Sequence, residues 1–404
     1  MYNPMTLFYS YWFIVITLAS FELYGMYSAS QQTYMLIAIG LFGFAYGYLI
    51  MMKRPTKEIS KSRYTFEVRY NIYIIFNIFV IGFLLLRLLD LLMLIAQGYS
   101  WWDIRLMVTA IEKDLALWGG SEWNLYIYTY IISPLVYLAV PIAIVDYLIE
   151  KKSKLFVNTT IIVVILFAVV TVSRNILVFS VIYFIFTSLI YRKKFNLSNK
   201  IRRNLRKTPV VISLPIIGVA TITLLRKAEA DFLKEAYVYL AGAIPQLSIR
   251  LTEPISDLHT YGMLTTRGFT RMLFIILDKI GISYPESYLR AQDVLDNLER
   301  FIPIGEGINM NAYATLFYHF YIDGGIIGVI LFSALLGYIC SRAYQGIKYN
   351  INIRNTVFYL LILQQLLFSV ARIYTVYPTR ALPFLLILVM FVKVKRDRDK
   401  TDSV

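Results

Sequence analysis

The chain has 404 residues, of which 58% are hydrophobic and only 16% are charged, whereas soluble domains carry about 25% charged residues. Together with a mean hydropathy of +0.61, this composition excludes an ordinary soluble domain and indicates a membrane protein. The net charge of +15 does not indicate nucleic-acid binding, because the basic residues lie in short connections between apolar segments.

Apolar segments long enough to cross roughly 30 Å of hydrocarbon as helices recur along the chain. The first, 7–26, lacks the basic start and the cleavage site of a secretory signal, and we expect it to be a retained span. The fold class predicted is all-α, a polytopic transmembrane bundle of about ten helices. The expected spans are 7–26, 31–52, 70–97, 124–149, 156–172, 176–191, 209–225, 315–341, 356–373 and 380–394.

Basic residues cluster on every second connection, which is typical of loops on the cytoplasmic side. The clusters lie at 53–69, 151–154, 192–207, 342–354 and 393–400. This pattern predicts cytoplasmic termini and a periplasmic location for the long connection before the final spans. The predicted regions are 1–225 with about seven spans, 226–313 as a partly helical periplasmic loop that caps an outer cavity, and 314–404 with about three spans.

Charged residues inside spans are functional candidates, because a charge in the bilayer is costly. Arg87 and Asp90 are three residues apart, so they share a helix face and are predicted to pair with each other. Arg174 stands at an outer junction between two spans, with no acid nearby in sequence. An arginine at that position is expected to bind a phosphate, either of a lipid or of a ligand.

Several arginines lie on the predicted outer side, where the positive-inside rule disfavours basic residues. The guanidinium fork matches phosphate oxygens whatever the pH. Two explanations stay open: ion pairs with nearby acids, or a site for an anionic substrate. The arginines are Arg250, Arg267, Arg271, Arg290, Arg372 and Arg380, and the acids are Glu253, Asp257, Asp293 and Glu299.

Signatures of metal or nucleophile chemistry are lacking. His259 and His319 are far apart in sequence, Cys340 lies inside a predicted span, and no phosphate-binding loop or serine-hydrolase motif is present. We therefore predict chemistry without a metal or another cofactor. The segment 309–323 is unusually polar for a return into the membrane, and we call it the polar segment; it contains Asn309, Asn311, Tyr313, His319 and Asp323.

The segment 302–328, IPIGEGINMNAYATLFYHFYIDGGIIG, resembles the oligosaccharide repeat unit polymerases, the O-antigen polymerase or Wzy-type family. That family has an Asn, an aromatic run and then Asp-x-Gly-x-x-Gly at this place. Residues 171–175, Thr-Val-Ser-Arg-Asn, are similar to its Ser-Arg-Gly element, with Asn175 in place of the glycine. The layout of many spans with one long outer loop before the final three is also similar.

The resemblance implies a metal-independent glycosyltransferase of the bacterial inner membrane, which joins glycan repeats carried on undecaprenyl pyrophosphate in lipopolysaccharide biosynthesis. A chain-length regulator protein is an expected partner, and nucleic acid is not. The implied pyrophosphate ligands are Arg174, Arg250, Arg267, Arg271 and Arg372. The candidate bases are His319, Asp323 and Glu306, among which the sequence does not choose, and the candidate glycan-binding residues are Asn309, Asn311, Tyr313 and Tyr374.

Three other functions stay open at this point. An O-antigen ligase has a similar layout and uses the same donor, but transfers the glycan to a lipid A core. A flippase or other carrier would place charged residues along a path through the membrane centre, whereas most of those found here lie at one face. A structural scaffold would not need the outer arginines.

Overall fold

The protein is helical over most of the chain that the structure describes, with two small two-stranded sheets. The computed structural model describes residues 3–53, 64–109, 115–192, 232–257 and 259–395. Within these ranges, four helices are long and apolar enough to cross a membrane: Gln31–Met52, Tyr70–Ala96, Glu122–Glu150 and Thr315–Tyr349. A largely helical membrane protein is thus confirmed, while the number of spans stays a prediction. The predicted span 209–225 and the basic residues 193–207 lie outside the described residues.

The first helices begin at polar caps just before apolar segments. Asn3 caps α1 (Pro4–Ala19) by accepting a hydrogen bond from the Met5 N–H at 2.9 Å, and Ser30 caps α2 (Gln31–Met52) in the same way. The elements that follow are β1 (Tyr64–Val68), α3 (Tyr70–Ala96), α4 (Trp101–Thr109), α5 (Glu122–Glu150), α6 (Lys154–Val170) and α7 (Asn175–Tyr191).

The second half of the described chain starts with the helices of the predicted outer loop. Two short strands of a hairpin come next, and long helices follow them. The elements are α8 (Phe232–Ala241), α9 (Ala243–Arg250), α10 (Met263–Lys279), α11 (Glu286–Leu298), β2 (Ile302–Gly305), β3 (Ile308–Met310), α12 (Thr315–Tyr349), α13 (Ile353–Leu367), α14 (Pro378–Met390) and β4 (Phe391–Lys395).

The chain forms two compact units, each assembled from segments that are far apart in sequence. The first unit contains Met1–Arg54, Glu229–Tyr344 and Ile362–Leu382, and the second contains Pro55–Ala228, Gln345–Leu361 and Pro383–Val404. The three regions predicted from the sequence concern sidedness in the membrane and remain a prediction.

Helices α2 and α12 pack closely against each other in the first unit. A Cβ atom at Gly47 would lie 1.8 Å from the carbonyl oxygen of Ala334, and one at Gly337 would lie 2.0 Å from that of Phe44. Only residues without a side chain allow two helix backbones to approach so closely, as is common in membranes. This packing fixes the position of α12, which carries much of the polar segment.

The outer loop contacts the connection between α1 and α2, also within the first unit. The Tyr237 hydroxyl on α8 donates a hydrogen bond to the Leu18 carbonyl at 2.6 Å. The Tyr27 N–H donates to the carbonyl of Ile304 on β2 at 2.9 Å. The loop therefore folds onto the ends of the first two helices. Its periplasmic location remains a prediction.

Four of the basic connections meet at one end of the second unit. β1, in the connection 53–69, pairs antiparallel with β4, where the chain enters the basic cluster 393–400. The Lys152 Nζ atom lies 2.7 Å from Glu67 of β1, and the Arg354 guanidinium lies 4.3 Å from the centre of the Phe66 ring. This grouping is what loops on a common side of a membrane require.

The last predicted span, 380–394, is shorter in the structure. Helix α14 ends at Met390, and β4 extends the chain from Phe391 to Lys395 as a strand. Valine and lysine alternate in this segment, a period of two that suits a strand. Its partner strand is β1, which is distant in sequence and could not be identified from residues 391–395 alone.

The charge pair predicted within α3 is confirmed. Arg87 Nη1 lies 2.7 Å from Asp90 Oδ2, and the two side chains are 12% and 16% exposed. Because each charge is compensated by the other, this pair needs no ligand to explain it.

Candidate functional site

His319 lies one turn into α12, and its side chain is completely buried. The start of α12 is fixed by backbone hydrogen bonds from Thr315 and Leu316 to the carbonyls of Ala371 and Ser369, at 3.1 and 2.8 Å. The Nδ1 atom of His319 lies 2.9 Å from the Thr315 carbonyl, which can only accept, so Nδ1 carries the proton. The lone pair of the neutral ring is then on Nε2, and no described residue makes a hydrogen bond to that atom.

Arg372, in the turn between α13 and α14, forms a cluster with Glu299 and Tyr377. Its Nη1 donates to Glu299 Oε1 at 2.8 Å and also to the Tyr377 hydroxyl, which donates to the same carboxylate at 3.2 Å. Because arginine stays protonated whatever the pH, the cluster combines a permanent positive charge with the carboxylate of Glu299.

Part of the Arg372 guanidinium remains open. Its Nη2 and Nε atoms make no hydrogen bond to any residue in the described part of the chain. The side chain is 11% exposed, so these donors are partly shielded from water. The ring of His319 lies within electrostatic reach of Arg372. The structure thus places the His319 imidazole near the Arg372 guanidinium, while their roles as a base and a phosphate ligand stay predictions.

Arg250 is more completely engaged by the protein. Its Nη1 contacts both carboxylate oxygens of Glu253 at 2.9 and 3.1 Å, and its Nη2 donates to the carbonyl of Arg300 at 2.9 Å. Asn297 donates to the same carboxylate at 2.6 Å. The predicted ion pairing of outer arginines with Glu253 and Glu299 is thus confirmed. Because its fork is used within the loop, Arg250 is suited to holding the loop together.

Asp323, one turn after His319, caps the N-terminus of α10. One carboxylate oxygen accepts from the Thr260 hydroxyl at 2.5 Å and from the Leu264 N–H at 3.0 Å, and the other accepts from the Thr265 N–H at 2.9 Å. A carboxylate at this position also interacts favourably with the helix dipole. These contacts connect α12 to the outer loop and occupy the Asp323 carboxylate, whereas the buried Nε2 of His319 makes no hydrogen bond to any described residue.

The backbone of α12 bends directly after Asp323. Gly325 has a φ of +58°, which favours glycine, and a Cβ atom there would lie 3.4 Å from Cε1 of His259. His259 therefore packs at the bend. The two histidines, which are far apart in sequence, lie in the same unit and on either side of the Asp323 cap.

Arg267, on α10, lies near the Arg372 cluster without a hydrogen bond to it. Its Nη2 lies 3.1 Å from Gln292 Oε1, its guanidinium lies 5.7 Å from the centre of the Tyr288 ring, and it is within electrostatic reach of Tyr377. Arg267 is 4% exposed. Arg271, one turn later on the same helix, is half-buried. Two of the predicted phosphate ligands, Arg267 and Arg372, are thus brought together.

Glu306 and Asn309 lie on the β2–β3 hairpin with exposed side chains. The backbone N–H of Glu306 donates to the Gly25 carbonyl at 2.9 Å, so the hairpin turn rests on the connection between α1 and α2. Both residues face solvent, and Glu306 lacks the enclosed surroundings of His319.

The remaining glycan-binding candidates are half-buried. Asn311 donates to a backbone carbonyl at the end of α11 at 3.0 Å, and the Tyr313 N–H donates to Gln246 Oε1 at 3.2 Å. The Arg380 guanidinium lies 5.7 Å from the centre of the Tyr374 ring. Gln246, which the sequence analysis did not single out, connects the polar segment to α9; it lies in an apolar stretch, where no pattern distinguishes it.

Arg174 lies at the N-terminal end of α7 and is half-buried. It belongs to the second unit, whereas the residues described above belong to the first. Its role beside the other arginines therefore stays a prediction.

Within the described ranges, no group of three or more His, Cys, Asp or Glu side chains is arranged to hold a metal ion. Comparisons with known proteins add no identity: no family model matches the chain, and neither a curated protein nor a solved structure matches it.

Proposed function

We propose that the protein is a glycosyltransferase that polymerises oligosaccharide repeats carried on undecaprenyl pyrophosphate, at the outer face of the bacterial inner membrane. One observation carries the proposal. A buried histidine whose Nε2 makes no hydrogen bond to any described residue lies within electrostatic reach of an arginine with two donor atoms that also make none. Transfer of a glycan from a pyrophosphate needs a base for the acceptor and a fixed charge for the leaving group.

In the proposed reaction, the acceptor hydroxyl gives its proton to Nε2 of His319 while its oxygen forms a bond to the anomeric carbon of the donor. The bond between that carbon and the pyrophosphate oxygen breaks, and the electron pair leaves with the lipid pyrophosphate. Arg372 meets the developing negative charge through Nη2 and Nε, and Arg267 adds a second positive charge. Exclusion of water strengthens both interactions.

Helix α10 supports a substrate that carries a lipid. Arg267 on this helix is buried beside the Arg372 cluster, while Met272, Leu273 and Ile276 are 49%, 54% and 50% exposed. A helix with a polar face and an exposed apolar face suits the boundary between headgroups and acyl chains. In the proposal, α10 lies at the outer surface of the bilayer, where a lipid-linked repeat presents its pyrophosphate.

The other predicted residues have supporting roles in this proposal. Asp323 and Arg250 hold the outer loop, and Arg271 is a further pyrophosphate ligand. Tyr374 and the polar residues of the hairpin region contact the sugars. About ten spans with cytoplasmic termini complete the proposal. The convergence of four basic connections at one end of the second unit supports that topology.

The test is chain growth by the purified protein on lipid-linked repeats. His319→Ala should retain donor binding but slow chain growth by about 10²–10⁴-fold, the usual contribution of a general base. His259→Ala is the matched control and should grow chains normally. Arg372→Lys keeps the charge but loses the fork, so it should weaken donor binding. Normal polymer from both His319→Ala and Arg372→Lys would refute the proposal.

Two further experiments test the metal-free reaction and distinguish the proposed polymerase from a ligase, a carrier and a scaffold. Excess EDTA should leave chain growth unchanged, and a loss of activity that Mg²⁺ or Mn²⁺ restores would refute a metal-free reaction. Adding a lipid A core as a competing acceptor distinguishes a ligase, which would glycosylate the core instead of extending the repeat. A carrier or a scaffold would form no new glycosidic bond in either mixture.

A further inference from the structure

The second unit contains an apolar groove of about 320 Å³. This volume lies near the lower end of the roughly 300–1,000 Å³ that small-molecule sites occupy. Its walls come from the start of α3, from α5 and from the end of α14. The apolar side chains that line it are Ile72, Phe76, Ile131, Leu135, Leu386, Val389 and Met390.

One charged residue, Arg69, lines the same groove. It directly precedes α3, and its backbone N–H donates to the Met390 carbonyl at 3.1 Å. Its side chain is exposed and makes neither a hydrogen bond nor an ion pair with any residue for which the structure gives a position. A guanidinium beside an apolar groove, with its donors free, can receive an anion that is attached to an apolar chain.

Charged residues of both signs surround Arg69, and its neighbour Tyr70 lies near Asp146, Glu150 and Glu67. Two of these acids are already engaged: Glu67 binds Lys152, and Asp146 accepts from the Tyr70 hydroxyl at 2.6 Å and from the Lys152 N–H at 3.1 Å. The neighbouring strand β4 adds Lys393 opposite Phe66. None of the described acids forms an ion pair with the Arg69 side chain, so its guanidinium is available to an anion.

We infer that the groove binds an anionic phospholipid, with one acyl chain against the apolar walls and the phosphate at Arg69. Basic pockets between transmembrane helices on the cytoplasmic side commonly bind anionic headgroups. A soluble phosphate would leave the apolar walls unfilled, and a neutral lipid would leave Arg69 without a counterion. The inference depends on the membrane location of the chain and not on the proposed glycosyl transfer.

Photolabelling in bilayer nanodiscs tests this inference. The purified full-length protein is placed in a mixture of phosphatidylglycerol and phosphatidylcholine, with a diazirine on an acyl chain of one lipid or the other. Labelled peptides should map to 69–76, 131–135 and 386–390, and the phosphatidylglycerol probe should label them more strongly. Equal labelling by both probes, or labelling that maps elsewhere, would overturn the inference.

An Arg69→Ala variant measures the contribution of the charge. A basic residue at an anionic membrane surface is worth about 1 kcal/mol, so the preference for phosphatidylglycerol should fall about fivefold. Lys154→Ala, which removes an exposed charge from the same basic end but not from the groove, should keep the preference. An unchanged preference in Arg69→Ala, or an equal fall in Lys154→Ala, would show that no headgroup site exists at Arg69.

Discussion

Substitution of Asp323 distinguishes a carboxylate that holds the outer loop from one that takes part in catalysis. Its side chain is 2% exposed and accepts hydrogen bonds from Thr260, Leu264 and Thr265. Alanine removes a helix cap, worth about 0.5–2 kcal/mol, and leaves buried donors unpaired at about 1–3 kcal/mol each. Because the N-terminal end of α10 can relax after the substitution, these two losses of stability are not fully additive. We expect Asp323→Ala to lower the free energy of unfolding by about 3–5 kcal/mol.

Asp323→Asn is the sharper variant, because it keeps one acceptor oxygen and the shape of the side chain. It places an NH₂ group against one of the three donors, so it should lose about half as much stability as the alanine variant. Unfolding in detergent micelles measures the loss, and chain growth is measured per folded molecule. The rate should stay within about tenfold of the unsubstituted protein, whereas loss of a base lowers it by about 10²–10⁴-fold. A stable Asp323→Asn protein with a rate lowered that far would refute the structural role.

Other expectations test the cluster, the packing and the topology. In a double-mutant cycle with Glu299→Gln and Arg372→Gln, we expect a coupling free energy of about 1–3 kcal/mol. This is less than for a fully buried pair, because Glu299 is 25% exposed. Additive effects of the two substitutions on stability would contradict the ion pair. Gly268→Ala should destabilise the protein, since its Cβ would lie 2.2 Å from a carbonyl oxygen of the turn before α14, whereas Gly82→Ala, with no atom within 4 Å, should not; equal stabilities would refute this packing. An alkaline phosphatase fusion after Lys152 should be inactive and one within the outer loop active, and the reverse result would overturn the topology.

The spacing of residues in the sequence correctly predicted one pair of charges within a helix. Arg87 and Asp90 are three residues apart within α3, and a helical turn brings such residues onto one face. Arg250 and Glu253 are also three residues apart, but α9 ends at Arg250, and the turn after the helix brings them together. The pair of Arg372 and Glu299 spans a long separation in sequence. The sequence identified both partners as charges that need compensation, but their pairing depends on how the loop packs.

The polar segment illustrates what only packing decided. From the sequence, His319 and Asp323 were both candidates for the base. In the fold, the Asp323 carboxylate caps the N-terminus of α10 and accepts hydrogen bonds from three donors. The Nδ1 atom of His319 is hydrogen-bonded to the Thr315 carbonyl, and its Nε2 atom has no hydrogen-bond partner among the described residues. The availability of a lone pair is set by neighbours in space, and these neighbours come from a loop that is distant in sequence.

Composition and local order by themselves determined that this chain is a helical membrane protein with basic connections at alternate ends of its apolar segments. These properties follow from short-range physics: apolar length, helix caps and the placement of charge relative to a bilayer. Tertiary structure decided that helix α14 ends at Met390 and the chain continues as strand β4 from Phe391. It also decided that Arg267 lies near the Arg372 cluster and that Arg69 lines an apolar groove. Each of these requires two distant segments to approach, and such contacts are chosen by the packing of the whole unit rather than by the residues on either side.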